Sequence, residues 1–185
     1  MRSKSRSKSP ASQAVLRNLP ALARTIEPSI TLEAALGPDV ARLCALRRSD
    51  DVIHRLEDCV DAMERDAGDV HTLQALDIEF WQLLIEGAQN IAYRLAYNSL
   101  RSTYEHLREL LARALTKEVS DLTGHRKIVE AIREGDGARA ESSARRLLST
   151  GTEAVLALLQ WLEAMSSATA PAASLSNESD LEVTD

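Results

Sequence analysis

At 185 residues, 44% of them apolar and 27% charged, the chain can bury one core, and its length favours a single domain. Seven Gly, five Pro and an aromatic share of 3% exclude a turn-rich sandwich or barrel and favour helices. The net charge of −6 is unevenly placed: residues 1 to 24 carry six Lys or Arg and no acid, residues 166 to 185 carry four acids and no base, and the acidic body argues against a broad nucleic-acid surface.

Residues 1 to 12 alternate cations with Ser and offer nothing to bury. With the short Ala14–Leu19 segment, broken at Pro20 and Pro28, they are expected to form a basic disordered arm and linker over residues 1 to 28. A helical body is expected over residues 29 to 165. Its first helix is placed from about Thr31 to Arg47, kinked or restarted at Pro38. Ser49-Asp50 caps a second helix with the stripe Ile53, Leu56, Val60 and Met63, ended by Arg65–Asp69. Asp69 or a neighbour opens a third, Val70 to Ala88.

Asn90 opens a fourth helix of about 25 residues, whose stripe runs Tyr93, Ala96, Tyr97, Leu100, Tyr104, Leu107, Leu111 and Ala114. A fifth is expected over Glu118–Arg133, and Gly135-Asp-Gly137 separates it from a last helix capped by Asp136. Residues 166 to 185 have no core face and read as an acidic disordered tail. The expected fold is all-α, an antiparallel bundle of six to seven helices with disordered termini.

No apolar run approaches the ~20 residues of a bilayer span, and no apolar stretch follows the amino-terminal charges, so a cytoplasmic protein without membrane contact is expected. Cys44 and Cys59 have no CxxC or His-paired spacing and are expected as buried, reduced thiols. There is no Ser or Cys in a strand-turn-helix elbow and no Gly-rich phosphate loop, so no catalytic residue and no cofactor are assigned.

Two positions break the helical pattern. Asp77 falls in the middle of the stripe Val70, Leu73, Trp81, Leu84 and Ala88, and His125 lies among Leu122, Ile128, Val129 and Ile132. A carboxylate facing a core needs a cation, a metal or several donors. On the fourth helix Arg94, Asn98, Arg101 and Glu105 form a polar row beside the stripe. Such a row is either a solvated, salt-bridged face or the source of the cations that Asp77 or an anionic ligand requires.

Asp77-Ile-Glu-Phe-Trp81, Ala88-Gln-Asn90, the run from His125 through Ala131-Ile132 and Gly135-Asp136 to Ala140, and Ala35–Leu43 together resemble the effector-binding FCD domain of GntR-type transcriptional regulators. The family shows an Asp and a His one helical turn apart, a Gly-Asn helix ending, and two further His on the last two helices. Here Asp77 and His125 are kept. Trp81 and Leu147 stand at the other two metal-ligand positions, and Gly37 and Glu33 replace a usual Glu and a usual Arg. The winged helix-turn-helix that precedes such domains needs roughly 60 to 70 residues and has no counterpart among the first 28.

The resemblance implies a sensing domain without a tightly bound metal, Asp77 and His125 being weak candidates as ligands because indole and a Leu side chain offer no lone pair. It implies a small-molecule effector, apolar or acidic, of the acyl-CoA or organic acid class, held by Asp77, Trp81, Arg94, Asn98, Arg101, His125 and Leu147. The implied partners are a second copy or a full-length GntR regulator, with DNA bound only indirectly or in a full-length form. The alternative is a non-sensing helical dimerisation or interaction protein with a vestigial pocket.

Overall fold

The computed structural model describes residues 10–47 and 49–169. They form six α-helices and no strand: α1 Pro10–Arg47, α2 Asp50–Arg65, α3 Val70–Ala88, α4 Ile91–Val119, α5 Leu122–Glu134 and α6 Gly137–Thr169. The basic residues 1–9 and the acidic residues 170–185 lie outside the described residues, as do the side chains of Tyr104, Glu105 and Leu107.

Helix α1 differs most from expectation. It begins at Pro10, not near Thr31, so residues 10 to 28 belong to a helix and not to a linker. Pro20, Pro28 and Pro38 have no N–H to offer the carbonyls one turn earlier, which predicts breaks. Tertiary burial overrides that cost, because Ala23, Ile26 and Ile30 join Leu111 and Leu115 of α4 and Val155 and Leu159 of α6 in one apolar cluster. Helix α6 likewise runs past residue 165 to Thr169.

The other boundaries follow local chemistry. Asp69 accepts from the backbone N–H groups of His71 and Thr72, Asn90 from those of Ala92 and Tyr93, Asp121 from Gly124 and Asp136 from Arg139, each satisfying donors a helix start leaves unpaired. Ser49 holds the N-cap position of α2 without a side-chain capping bond. Gly135 closes α5 in the left-handed region, φ 75°. The expected fifth helix loses its start: Glu118 and Val119 finish α4 instead.

Helices α1 and α6 make the most extensive contact in the bundle, and α3 packs between α1, α2 and α4. The larger core cluster gathers Val40, Cys44, Leu56, Phe80, Trp81, Leu84, Ile128, Ile132, Ala140, Ala144, Leu147 and Leu148 from five helices. His125 is fully buried and packs on Phe80 of this cluster, and Asp77 is half-buried beside it. Cys44 and Cys59 are buried free thiols, and burial pushes both up to about 12, so they stay protonated.

Candidate functional site

Asp77 of α3 and His125 of α5 meet directly: Nε2 of His125 lies 2.9 Å from Oδ1 of Asp77. On its other side Nδ1 lies 2.9 Å from the backbone carbonyl oxygen of Asp121, at the start of the same helix. A carbonyl can only accept, and so can an ionised carboxylate, so the doubly protonated ring satisfies both contacts. His125 is 0% exposed, and the ring edge of Phe80 packs against it at 4.9 Å between centroids. Burial alone would lower the imidazole. The hydrogen bond and charge of Asp77, with the Asp121 carbonyl, outweigh burial and hold His125 above its ordinary value. The contact joins a fully buried imidazole to a carboxyl group that is 15% exposed.

Trp81 and Leu147 are buried members of the larger core cluster. Trp81 stands edge-on to Phe80, and its indole Nε1 is buried without a hydrogen-bond partner among the described residues. Leu147 is 2% exposed and reaches the first turn of α5, where a Cβ on Gly124 would lie 3.1 Å from Leu147 Cδ1. A metal would find two donors here, Asp77 and His125. Among the described residues no group of three or more His, Cys, Asp or Glu is placed to hold one, so the residues do not fit the metal of the resembled family.

The structure does not bring the seven candidate residues together. Arg94, Asn98 and Arg101 line a surface groove of about 620 Å³ between the end of α3 and the start of α4, with Gln82, Glu86 and Gln89. Asp77, Trp81, His125 and Leu147 are absent from its wall. The expectation that Arg94 or Arg101 supplies the cation for Asp77 is corrected, since His125 takes that role. Beside the groove lies an apolar slot of about 20 Å³ lined by Gly37, Val40, Trp81 and Leu100, sharing Ile85 and Tyr97 with the groove. That is room for about one water molecule. Tyr97 is fixed there by its hydroxyl, which donates to the Ile78 carbonyl at 2.7 Å.

Glu118 escaped the sequence reading. It is buried, its Oε2 has no partner among the described residues, and it packs so closely on α6 that any side chain at Gly151 would collide with its carboxyl group. Burial raises it well above the ordinary carboxylate range, helped by the charges of Asp77 and Glu33, while a backbone hydrogen bond at Gly151 works the other way. Continuing the α4 stripe seven residues beyond Leu111 lands on Glu118, a signal hidden by starting a new helix there. Gln74, also buried, precedes Asp77 by three residues on the same face of α3, and its Oε1 has no hydrogen-bond partner among the described residues.

This bundle, with its acid on α3 and its His on α5, meets known proteins at one family. The FCD domain matches residues 29–150. The chain belongs to the FCD family. The FCD chain is 30% identical over 130 residues to the HTH-type transcriptional regulator Mce2R of Mycobacterium tuberculosis, covering 69% of this chain and 54% of that protein. The same identity and coverage hold for an uncharacterised HTH-type transcriptional regulator of Mycobacterium bovis. A solved GntR structure from Streptococcus agalactiae superposes with a TM-score of 0.59 and 25% identity, over 78% of this chain and 64% of that one.

This FCD chain therefore spans about half the length of the curated relatives it matches. Those relatives are transcriptional regulators. Among its described residues no helix is long and apolar enough to cross a membrane.

Proposed function

We propose that this FCD domain senses a small-molecule effector, apolar or acidic, for a GntR-type transcriptional regulator and does so without a tightly bound metal. The observation that carries the reading is the contact between Asp77 and His125, 2.9 Å apart, with the imidazole fully buried and the carboxyl group partly so. Holding two charges there is costly, and leucine-like residues would pack as well or better. A pair kept for stability alone is a poor choice; a pair whose balance changes with occupancy of the domain is a useful one. The proposed setting is cytoplasmic, as a homodimer or beside a full-length GntR partner, with DNA contacted through the partner or a longer form.

A second reading has one observation in its favour. Trp81 and Leu147 fill the positions of two family ligands and leave only about 20 Å³ beside the indole, as a vestigial pocket in a dimerisation protein would. A melting-temperature panel of acyl-CoA thioesters, fatty acids and organic acids separates the two. At a hundredfold excess over its dissociation constant an effector stabilises the folded chain by about 2.7 kcal/mol. A panel in which no compound moves the transition removes the sensing reading.

A further inference from the structure

We propose that the slot between α1, α3 and α4 binds the ammonium head of a primary amine, at a site separate from the effector of the sensing reading and independent of it. The chain has two Trp, three Tyr and one Phe. Three of these aromatic residues, Trp81, Tyr93 and Tyr97, line this one slot, together with Glu33 of α1. Among the described residues no Lys, Arg or His stands in its wall. Aromatic rings carry a negative face, and a cation within about 6 Å of the ring centre is attracted to it, most strongly by Trp. A carboxylate in the same wall attracts a cation and repels an anion. A slot lined by aromatic rings and an acid is therefore matched to an ammonium group better than to a carboxylate.

The walls are fixed. The Tyr97 hydroxyl donates to the Ile78 carbonyl at 2.7 Å, and the Tyr93 hydroxyl donates to Oδ2 of Asp39 at 2.8 Å, so both phenols are anchored at their hydroxyl ends. Trp81 is buried and stands edge-on to Phe80. Position 37 keeps the space open: a Cβ on Gly37 would lie 3.2 Å from Trp81 Cζ3 and would collide with Cδ1 of Leu148, taking up room that the slot now has. The negative charge at the slot also reaches inward. Burial raises Glu118 of α4 well above the ordinary carboxylate range, and the charges of Asp77 and Glu33 add to that, His125 being the cation that faces Asp77. A cation beside Glu33 offsets part of the repulsion among these acids.

Size narrows the ligand. The slot holds about 20 Å³, room for about one water molecule, which suits an ammonium head and is too little for a trimethylammonium group. Ile85 and Tyr97 line both the slot and the groove, so the carbon chain of a bound amine leaves over these two side chains.

The test follows the indole N–H resonance of Trp81 by NMR in the full chain, with the exposed Trp161 of α6 as internal control. The probes are butylammonium chloride, butanol, sodium butyrate and tetramethylammonium chloride at matched ionic strength. Butylammonium is expected to shift the Trp81 resonance saturably and to leave that of Trp161 in place, with the other three at least about tenfold weaker. Glu33→Gln should weaken butylammonium at least about tenfold and leave the butanol response unchanged, a split that a purely structural role for Glu33 does not give. No saturable shift with butylammonium overturns the proposal. So does butanol, butyrate or tetramethylammonium binding as tightly, which would make the slot an unselective crevice, and so does undiminished affinity in Glu33→Gln. A chain that binds butylammonium and no compound of the melting-temperature panel keeps this site and loses the sensing reading.

Discussion

The indole of Trp81 lies over Gly37 of α1: a Cβ on residue 37 would stand 3.2 Å from Trp81 Cζ3 and would collide with Cδ1 of Leu148. Both residues replace larger or more polar ones of the resembled pattern, and they do so together. The bulk gained at position 81 occupies the space given up at position 37. Gly37→Ala should therefore destabilise the domain by about 1–3 kcal/mol in urea unfolding. In a Trp81→Leu background the loss should shrink by at least about 0.5 kcal/mol, the coupling expected of residues in contact. Equal losses in the two backgrounds would contradict the packing described.

Asp77→Ala should be far costlier than its single hydrogen bond suggests. It leaves the His125 imidazolium, fully buried, without its counter-charge. Breaking a buried pair from one side costs about 3–5 kcal/mol, partly relieved here if the ring gives up its proton. Chemical denaturation of Asp77→Ala against Asp77→Ala/His125→Leu measures the difference, and the double variant should be the more stable of the two.

Stability should fall as pH rises from mildly acidic to mildly alkaline values. His125 is held above its ordinary value, so its contribution is complete below the value of the unfolded imidazole and is lost as pH rises through that of the folded one. Glu118 acts in the same direction. Burial raises it, the folded state keeps a proton that the unfolded state has released, and stability declines from the ordinary glutamate range upward until the folded group ionises. Urea midpoints between about pH 5 and pH 9 should decrease, and His125→Gln and Glu118→Gln should each flatten the slope. A midpoint that climbs over this range would refute both assignments.

Much of this was legible in particular residues. The starts at Asp69 and Asn90 and the stop at Gly135 announced themselves by capping chemistry, and Asp77 and His125 stood out because a polar residue broke an apolar stripe. Pro20 and Pro28 misled because local rules assign a break, while the burial of Ala23, Ile26 and Ile30 against α4 and α6 is a long-range effect that spacing does not carry. The separation of Arg94 and Arg101 from Asp77 was hidden for a similar reason: position on a helix face gives a direction but not the neighbour found there. Glu118 was lost to one misplaced helix boundary.

Restoring imidazoles at positions 81 and 147 tests the geometry of the centre. Asp77 and His125 already touch, and Leu147 reaches the first turn of α5 just before His125. Trp81→His with Leu147→His should give an Asp with three His and bind zinc in calorimetry, with the wild-type chain binding far more weakly. No zinc binding by the double variant would mean that the helices do not hold the family's ligand spacing.

The most direct test of the sensing account is the emission of Trp81 in a Trp161→Phe chain, titrated with whichever panel compound raises the melting temperature. The indole stands edge-on to Phe80, which packs on His125, and it lines the slot that shares Ile85 and Tyr97 with the groove. The account predicts a saturable spectral change whose midpoint matches calorimetry and which Asp77→Asn alters. Calorimetric binding with an unchanged Trp81 spectrum, and with the same affinity in Asp77→Asn, would contradict it.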